Sequence, residues 1–407
     1  MKYTDEFIKA IPKSDLHLHL DGSLRLTSLI EMAKVTKTHL PSQTTQGLKE
    51  LVFKDKYNDL GEYLHCFAYS CDVLRDLENV ERAAYELALD NQAEGVNYVE
   101  VRFAPQLLTD DSKGIDIDKV MIAVNKGLSR AQKEYNQQEL VKSGIKPTFE
   151  YGIISCALRM FGPKGFSPYY SNIFSVMAEF EPMKVITLAA MDMVKACVRI
   201  RDTLGIPIVG IDLAGQESGY PAGKFKEVYK YAHQNFMSKT IHAGEAYGAE
   251  SVFEAITECY ADRIGHGYSL FIPQMIKDEK ICDPELYINR LSSFIADKRI
   301  AIEVCLTSNL QTNPMIETIK NHKFNDMLDK RVALTLCTDN RLVSNTSVSD
   351  EYRLALDNFD ISFNRLKDIV ADGFKKSFFG RDYVAKRAYA KHCMKYFNQV
   401  ATEHKLI

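Results

Sequence analysis

The chain has 407 residues, 46% of them hydrophobic and 26% charged, with a formal net charge of −3; this is the composition expected of a soluble globular protein long enough to bury a sizeable core. That balance excludes a binder of nucleic acid by bulk positive charge, and no window approaches the roughly 18 uninterrupted apolar residues of a membrane helix. The nine cysteines are odd in number and never spaced CxxC, which indicates neither a disulfide framework nor a thiolate zinc site.

The opening MKYTDEFIKAIPKSD is interrupted by charges before a signal-peptide core could form, so a reducing cytoplasmic setting is expected, with the cysteines as small buried hydrophobes. The first β-type run is KSDLHLHL (13–20). Residues 21–95 separate it from VNYVEVRFA (96–104) by far more than one crossover helix, and read as a helical insertion that ends in ERAAYELALDNQAEG. Then come TFEYGIISCAL (148–158), PIVGIDLA (207–214), KTIHA (239–243), DRIGH (262–266), AIEVCLTSN (301–309) and VALTLCTD (332–339). All are rich in Val, Ile and Thr or alternate with period two. Strands separated by helix-length segments imply right-handed crossovers and a parallel sheet. Eight such units predict an α/β fold, a closed (β/α)8 TIM-type barrel. Residues 348–407 read as extra C-terminal helices, and without linker, repeat or low-complexity tract the chain 1–407 reads as one elaborated domain.

In such a barrel the C-terminal strand ends form the site. Here they are polar: His17, His19 and Asp21; Asp212 to Gly215; His242 to Glu245; His266 between two glycines; Thr338, Asp339 and Asn340. Residues i and i+2 of a strand share a face, so His17 and His19 can reach one ion while Leu16, Leu18 and Leu20 pack outward. The same parity on the last strand groups Asp339 with Thr335 and Cys337. Three imidazoles and a carboxylate suit zinc, with a position left for water. Taken singly each feature has a plainer reading: an HxH pair as core, Asp339 as a helix cap, Asp212 as a rim brace, Glu245 as a solvated first-turn acid. Four of the ten histidines on one rim weigh against coincidence. No Walker A loop, GxGxxG, GxSxG, HExxH or HxE with PCxxC is present.

The segments SDLHLHLDGS, HAGEAYGAES, RIGHG and LCTDN, in this order, closely resemble the adenosine deaminases, zinc-dependent members of the amidohydrolase-type barrels. The resemblance implies one zinc ion on His17, His19, His242 and Asp339, with Glu245 as proton donor to purine N1. It implies His266 as the base that orients or deprotonates the attacking water, and His19, Asp21, Gly215 and Asn340 as substrate contacts. Gly215 would donate from its backbone to the purine and Asp21 would meet the ribose 5′-hydroxyl. Many relatives carry a second aspartate where this chain has Asn340; an amide donates a hydrogen bond to N7 at any pH, whereas a carboxyl must first be protonated. Related adenine deaminases tend to have HLEG where this chain has HLDG, and the shorter Asp21 leaves room for a ribose.

The expected activity is hydrolytic deamination of adenosine and 2′-deoxyadenosine, with a small purine nucleoside and neither nucleic acid nor membrane as partner. A monomer is compatible with the sequence. Two alternatives stay open: a deaminase of adenine, an N6-methylated adenine nucleotide or aminodeoxyfutalosine, and a non-catalytic nucleoside-binding relative. The 21–95 segment is a candidate lid, and Ser308 and Asn309 are candidates for orienting His242.

Overall fold

The computed structural model describes residues 3–58, 60–313 and 315–407. Eight strands form one sheet in the order β1 to β8: β1 Lys13–His19, β2 Val96–Phe103, β3 Glu150–Leu158, β4 Ile208–Ala214, β5 Ser238–Ala243, β6 Arg263–His266, β7 Ala301–Val304 and β8 Ala333–Leu336. All consecutive pairs are parallel. The sheet curls so that β1 meets the chain just past β8: His19 N donates to Asp339 O and Asp339 N to His17 O, both at 2.8 Å. This is the (β/α)8 barrel, and almost every strand residue is buried because one parity fills the interior while the other lies under helices.

Two expected strands run too far. β7 stops at Val304, and Leu306–Thr312, which includes Ser308 and Asn309, is a helix. Its first turn is capped by the buried Glu351 carboxylate, which accepts from Leu306 N and Thr307 N. β8 stops at Leu336, and Asp339 reaches the interior on left-handed backbone, φ 60°. Period-two parity therefore does not carry to Asp339, although the residue does arrive on the rim.

Between β1 and β2 lie helices Leu26–Thr36, Thr45–Leu51, Leu60–His65, Phe67–Val73 and Leu77–Ala93. The last begins where Asp76 accepts from Glu78 N and Asn79 N. After β8 come Val348–Asn358, Phe363–Lys376 and Tyr383–Glu403. Phe363–Lys376 packs on β8 and β1 and covers the seam where the barrel closes. The nine cysteines are free and all but Cys282 are buried. Among the described residues no helix is long and apolar enough to cross a membrane.

Candidate active site

β1 delivers His17 and His19, β5 delivers His242, and the turn after β8 delivers Asp339; all four are buried and their ligand atoms lie within 4.8 Å of one another. His17 Nε2 is 3.3 Å and His19 Nε2 3.4 Å from Asp339 Oδ1, and His19 Nε2 is 3.4 Å from His242 Nε2. A tetrahedral ion with bonds of 2.0–2.1 Å has ligand-to-ligand edges of about 3.3 Å, so these separations are those of atoms turned toward a shared centre. His17 Nε2 is buried without a hydrogen-bond partner. Gly265 makes room for this ring: a Cβ there would sit 3.0 Å from His17 Cε1.

Three of the four side chains are held from behind. His17 Nδ1 lies 2.9 Å from Glu303 Oε2, and His242 Nδ1 lies 3.0 Å from Asp212 Oδ2. Ser308 donates to Asp339 Oδ2 at 2.6 Å. Carboxylates on the far ring nitrogens fix the tautomer and leave Nε2 to ligate. Ser308 and Asn309 thus serve Asp339 and His266 and do not orient His242; they sit on the helix after β7, on the far side of the site from Asp212. Burial draws His19, His242 and His266 below the ordinary histidine pKa. At His17, burial and Arg102 pull downward but the adjacent Asp339 and Glu303 carboxylates prevail, lifting it to about 9. A metal ion taken up through His17 Nε2 would therefore displace a proton.

Beneath the ligands a buried ion network crosses the barrel. Arg102 Nη1 bonds Asp212 and Arg102 Nη2 bonds Glu303, both at 2.9 Å. Arg263 Nε reaches Glu303 at 2.6 Å, and its Nη2 reaches Glu100. Two guanidinium groups stand against Glu100, Asp212 and Glu303, and Asp339 adds a fourth buried carboxylate; with the imidazoles neutral this leaves two negative charges in a dry interior. A divalent cation on neutral imidazoles balances them. The donor set, its spacing, the orphaned Nε2 and this charge all fit a bound metal ion.

Above the ligands stand Glu245 and His266, with Glu245 Oε1 3.5 Å from His266 Nε2. Burial, then the negative charges of Glu217 and Asp339, pushes the Glu245 carboxyl up to about 8. His266 has φ 62°, a left-handed conformation unusual for a side chain of its size. The Asn309 amide nitrogen lies 3.1 Å from His266 Nδ1, and His322 Nε2 lies 3.1 Å from Asn309 Oδ1. With Asn309 donating to Nδ1, neutral His266 carries its hydrogen on Nε2, facing the site.

Asp21 is buried, its Oδ1 has no partner, and burial pushes it up to about 7. Asn340 donates to Tyr63 Oη at 2.8 Å and leaves its own Oδ1 unpartnered. Gly22 permits that placement, since a Cβ on it would fall 1.8 Å from Asn340 Oδ1. Tyr63 and Phe67 come from the insertion; Tyr63 Oη also pairs with Ser344 Oγ at 2.7 Å, and the Phe67 ring stands edge-on to His19. Gly215 follows β4 at φ 94°, two residues before the buried Glu217. The sequence reading overlooked Glu303, Arg102 and Glu217. A charged residue inside an apolar or alternating strand, as in AIEV and VEVRF, was the available sign for the first two.

The adenosine deaminase family model matches residues 12–164 and 174–391. An adenosine deaminase of Clostridium botulinum (strain Loch Maree / Type A3) is 33% identical over 372 residues, covering 91% of this chain and 94% of that protein. The structure of an N6-methyl-AMP deaminase from Arabidopsis thaliana superposes with a TM-score of 0.72 at 25% identity, covering 98% of this chain and all of that one. An adenine deaminase from Arthrobacter aurescens shares the fold at a TM-score of 0.71 and 19% identity, over 96% of this chain and 100% of that one. With the matched model spanning most of the sequence and four side chains able to hold a metal ion gathered on one rim, this chain belongs to the adenosine deaminase family.

Proposed function

We propose that this chain hydrolyses adenosine and 2′-deoxyadenosine to the corresponding inosine nucleoside and ammonia, with one zinc ion held by His17, His19, His242 and Asp339. The observation that carries this reading is the Glu245 carboxyl, beside His266 and above that ligand set, in a member of this family. When bound, zinc lowers the pKa of a coordinated water from about 15.7 to about 7.

The protein's own groups direct the rest. Attack of the water oxygen at C6 breaks the aromaticity of the ring, and charge would accumulate on N1. Glu245, kept protonated by its buried position, gives N1 a proton as the C–O bond forms. His266 holds the attacking oxygen through Nε2 and passes a proton toward the 6-amino group, which departs as ammonia. One hydrogen of water leaves with the amine; the other is released as the C6 carbonyl forms and restores the Glu245 acid. The Gly215 backbone and the Asn340 amide address the purine edge, and the unpartnered Asp21 oxygen accepts from the ribose 5′-hydroxyl. Helices Leu60–His65 and Phe67–Val73 act as the lid that excludes water.

Asp21 also separates this reading from its nearest rival. A buried carboxylate at the 5′ end repels a phosphate, so a nucleoside is preferred to the methylated nucleotide named for the Arabidopsis protein. The test is adenosine turnover, followed as loss of the adenine absorbance band. Turnover is expected to stop on chelation and return with zinc, and adenosine is expected to exceed adenine and AMP in kcat/KM. Turnover by metal-free protein, or AMP as the better substrate, overturns the proposal. Stoichiometric zinc with no turnover of any aminopurine would favour the non-catalytic reading.

A further inference from the structure

Glu217 lies in the loop after β4, is fully buried, and receives only donors. Its Oε1 accepts from Gly244 N at 3.0 Å and from the Ser251 hydroxyl. Its Oε2 accepts from Glu245 N at 3.0 Å, Ala246 N at 2.7 Å and Tyr247 N at 3.2 Å. Four consecutive backbone N–H groups thus converge on one carboxylate, an anion-binding curl of chain that Gly244 permits through φ 76°. The anion in it is the protein's own side chain. Charge-assisted bonds of this kind are stronger than neutral ones, and five on one group fix the loop more firmly than local turn chemistry would.

This loop runs from His242 to Glu245, from metal ligand to proton donor. Other ties join the same segments: Gly219 N donates to Tyr247 Oη at 2.7 Å, and buried Arg159 donates to Tyr220 O at 2.6 Å and to His242 O. His242 has its own brace in Asp212, whereas among the described residues the Glu245 carboxyl has no comparable side-chain support. This carboxyl stands 3.5 Å from Nε2 of the neutral His266 ring.

We propose that Glu217 is a positioning residue for the proton donor: by gathering the N–H groups of Gly244, Glu245, Ala246 and Tyr247 it sets where the Glu245 carboxyl stands over the substrate. The inference deepens the deaminase reading and rests on it. Glu217 also contributes negative charge beside Glu245, secondary to burial in keeping that carboxyl protonated. The loop after β4 carries both Gly215 and Glu217, so the same short segment that addresses the purine edge holds the acid that protonates N1.

The experiment is a double-mutant cycle in the full-length, zinc-loaded chain, using Glu217→Gln, Glu245→Gln and the pair. An amide at position 217 keeps the volume but turns one end into a donor facing donors. Glu217→Gln is expected to keep one zinc per chain, to lower kcat about 10²-fold, as a misplacement of about 1 Å can, and to leave KM within about threefold. In the Glu245→Gln background it should add almost nothing, because it acts through the residue already removed. Hydrogen exchange supplies a readout independent of substrate: amides 244–247 should exchange at least tenfold faster in Glu217→Gln while those of β1 are unchanged. Ser251→Ala, which removes one donor and leaves the acid untouched, should show the same non-additivity at smaller amplitude and stands in if Glu217→Gln does not fold. Full additivity with Glu245→Gln, unchanged exchange at 244–247, or zinc loss in step with activity overturns the inference. Absent adenosine turnover in the unaltered chain would instead refute the deaminase reading; the exchange measurement would still decide whether Glu217 holds the loop.

Discussion

Glu303→Gln is the sharpest test of how the metal pocket is built. Glu303 is fully buried and takes four contacts: His17 Nδ1 at 2.9 Å, Arg102 Nη2 at 2.9 Å, Arg263 Nε at 2.6 Å and Thr240 Oγ1 at 2.9 Å. Glutamine keeps the shape, removes one negative charge, and can accept only through its single oxygen. Deleting one partner of a buried ion pair costs about 3–5 kcal/mol. Since one acceptor survives, a loss of about 2–4 kcal/mol in the metal-free protein is expected on the same basis. The metal has a separate term: a ligating histidine that loses its outer partner typically costs 10- to 100-fold in affinity, or about 1.4–2.8 kcal/mol. Competition against a chromophoric chelator measures the affinity, and the thermal midpoint without metal measures the stability. Glu100→Gln is the control, because Glu100 bonds Arg263 but not His17; it should lose stability and keep zinc affinity. If Glu303→Gln binds zinc within threefold of the unaltered chain, the assignment of Glu303 as the brace of His17 is wrong.

Glu245→Gln should retain one zinc per chain and lose about 10²–10⁴-fold in kcat, the usual range for a general acid; near-normal turnover would remove it from the mechanism. The acid works protonated, and its carboxyl is raised to about 8. Activity is therefore present below that value and lost as pH rises through it, with a bound cation moving the midpoint downward; a kcat/KM profile still climbing above pH 9 would contradict this. Gly22→Ala should drive Asn340 from its place, because the added methyl falls 1.8 Å from its Oδ1. Overpacking of this kind costs about 1–3 kcal/mol, and a rise in KM for adenosine larger than the fall in kcat is the expected kinetic mark, whereas unchanged KM would place Asn340 away from the substrate.

The sequence alone determined the barrel and most of its rim, and for local reasons. Alternation in DLHLH puts two imidazoles on one face whatever the rest of the chain does. Eight short β-type runs with crossovers between them leave few topologies open. Only the tertiary structure decided how the polar groups pair. Asp212 serves His242, 30 positions away, whereas Glu303 serves His17 across 286 positions. Ser308 and Asn309 are neighbours in sequence, yet they turn to different residues because a helix begins where the strand was expected to continue. Asp339 arrives through a left-handed turn that no periodicity encodes. Glu217 looks like an ordinary loop acid until the chain closes four N–H groups around it. Side-chain period is a property of one strand and is written in consecutive residues; hydrogen-bond partnership between strands is set by how the barrel closes, and exists only once it has closed.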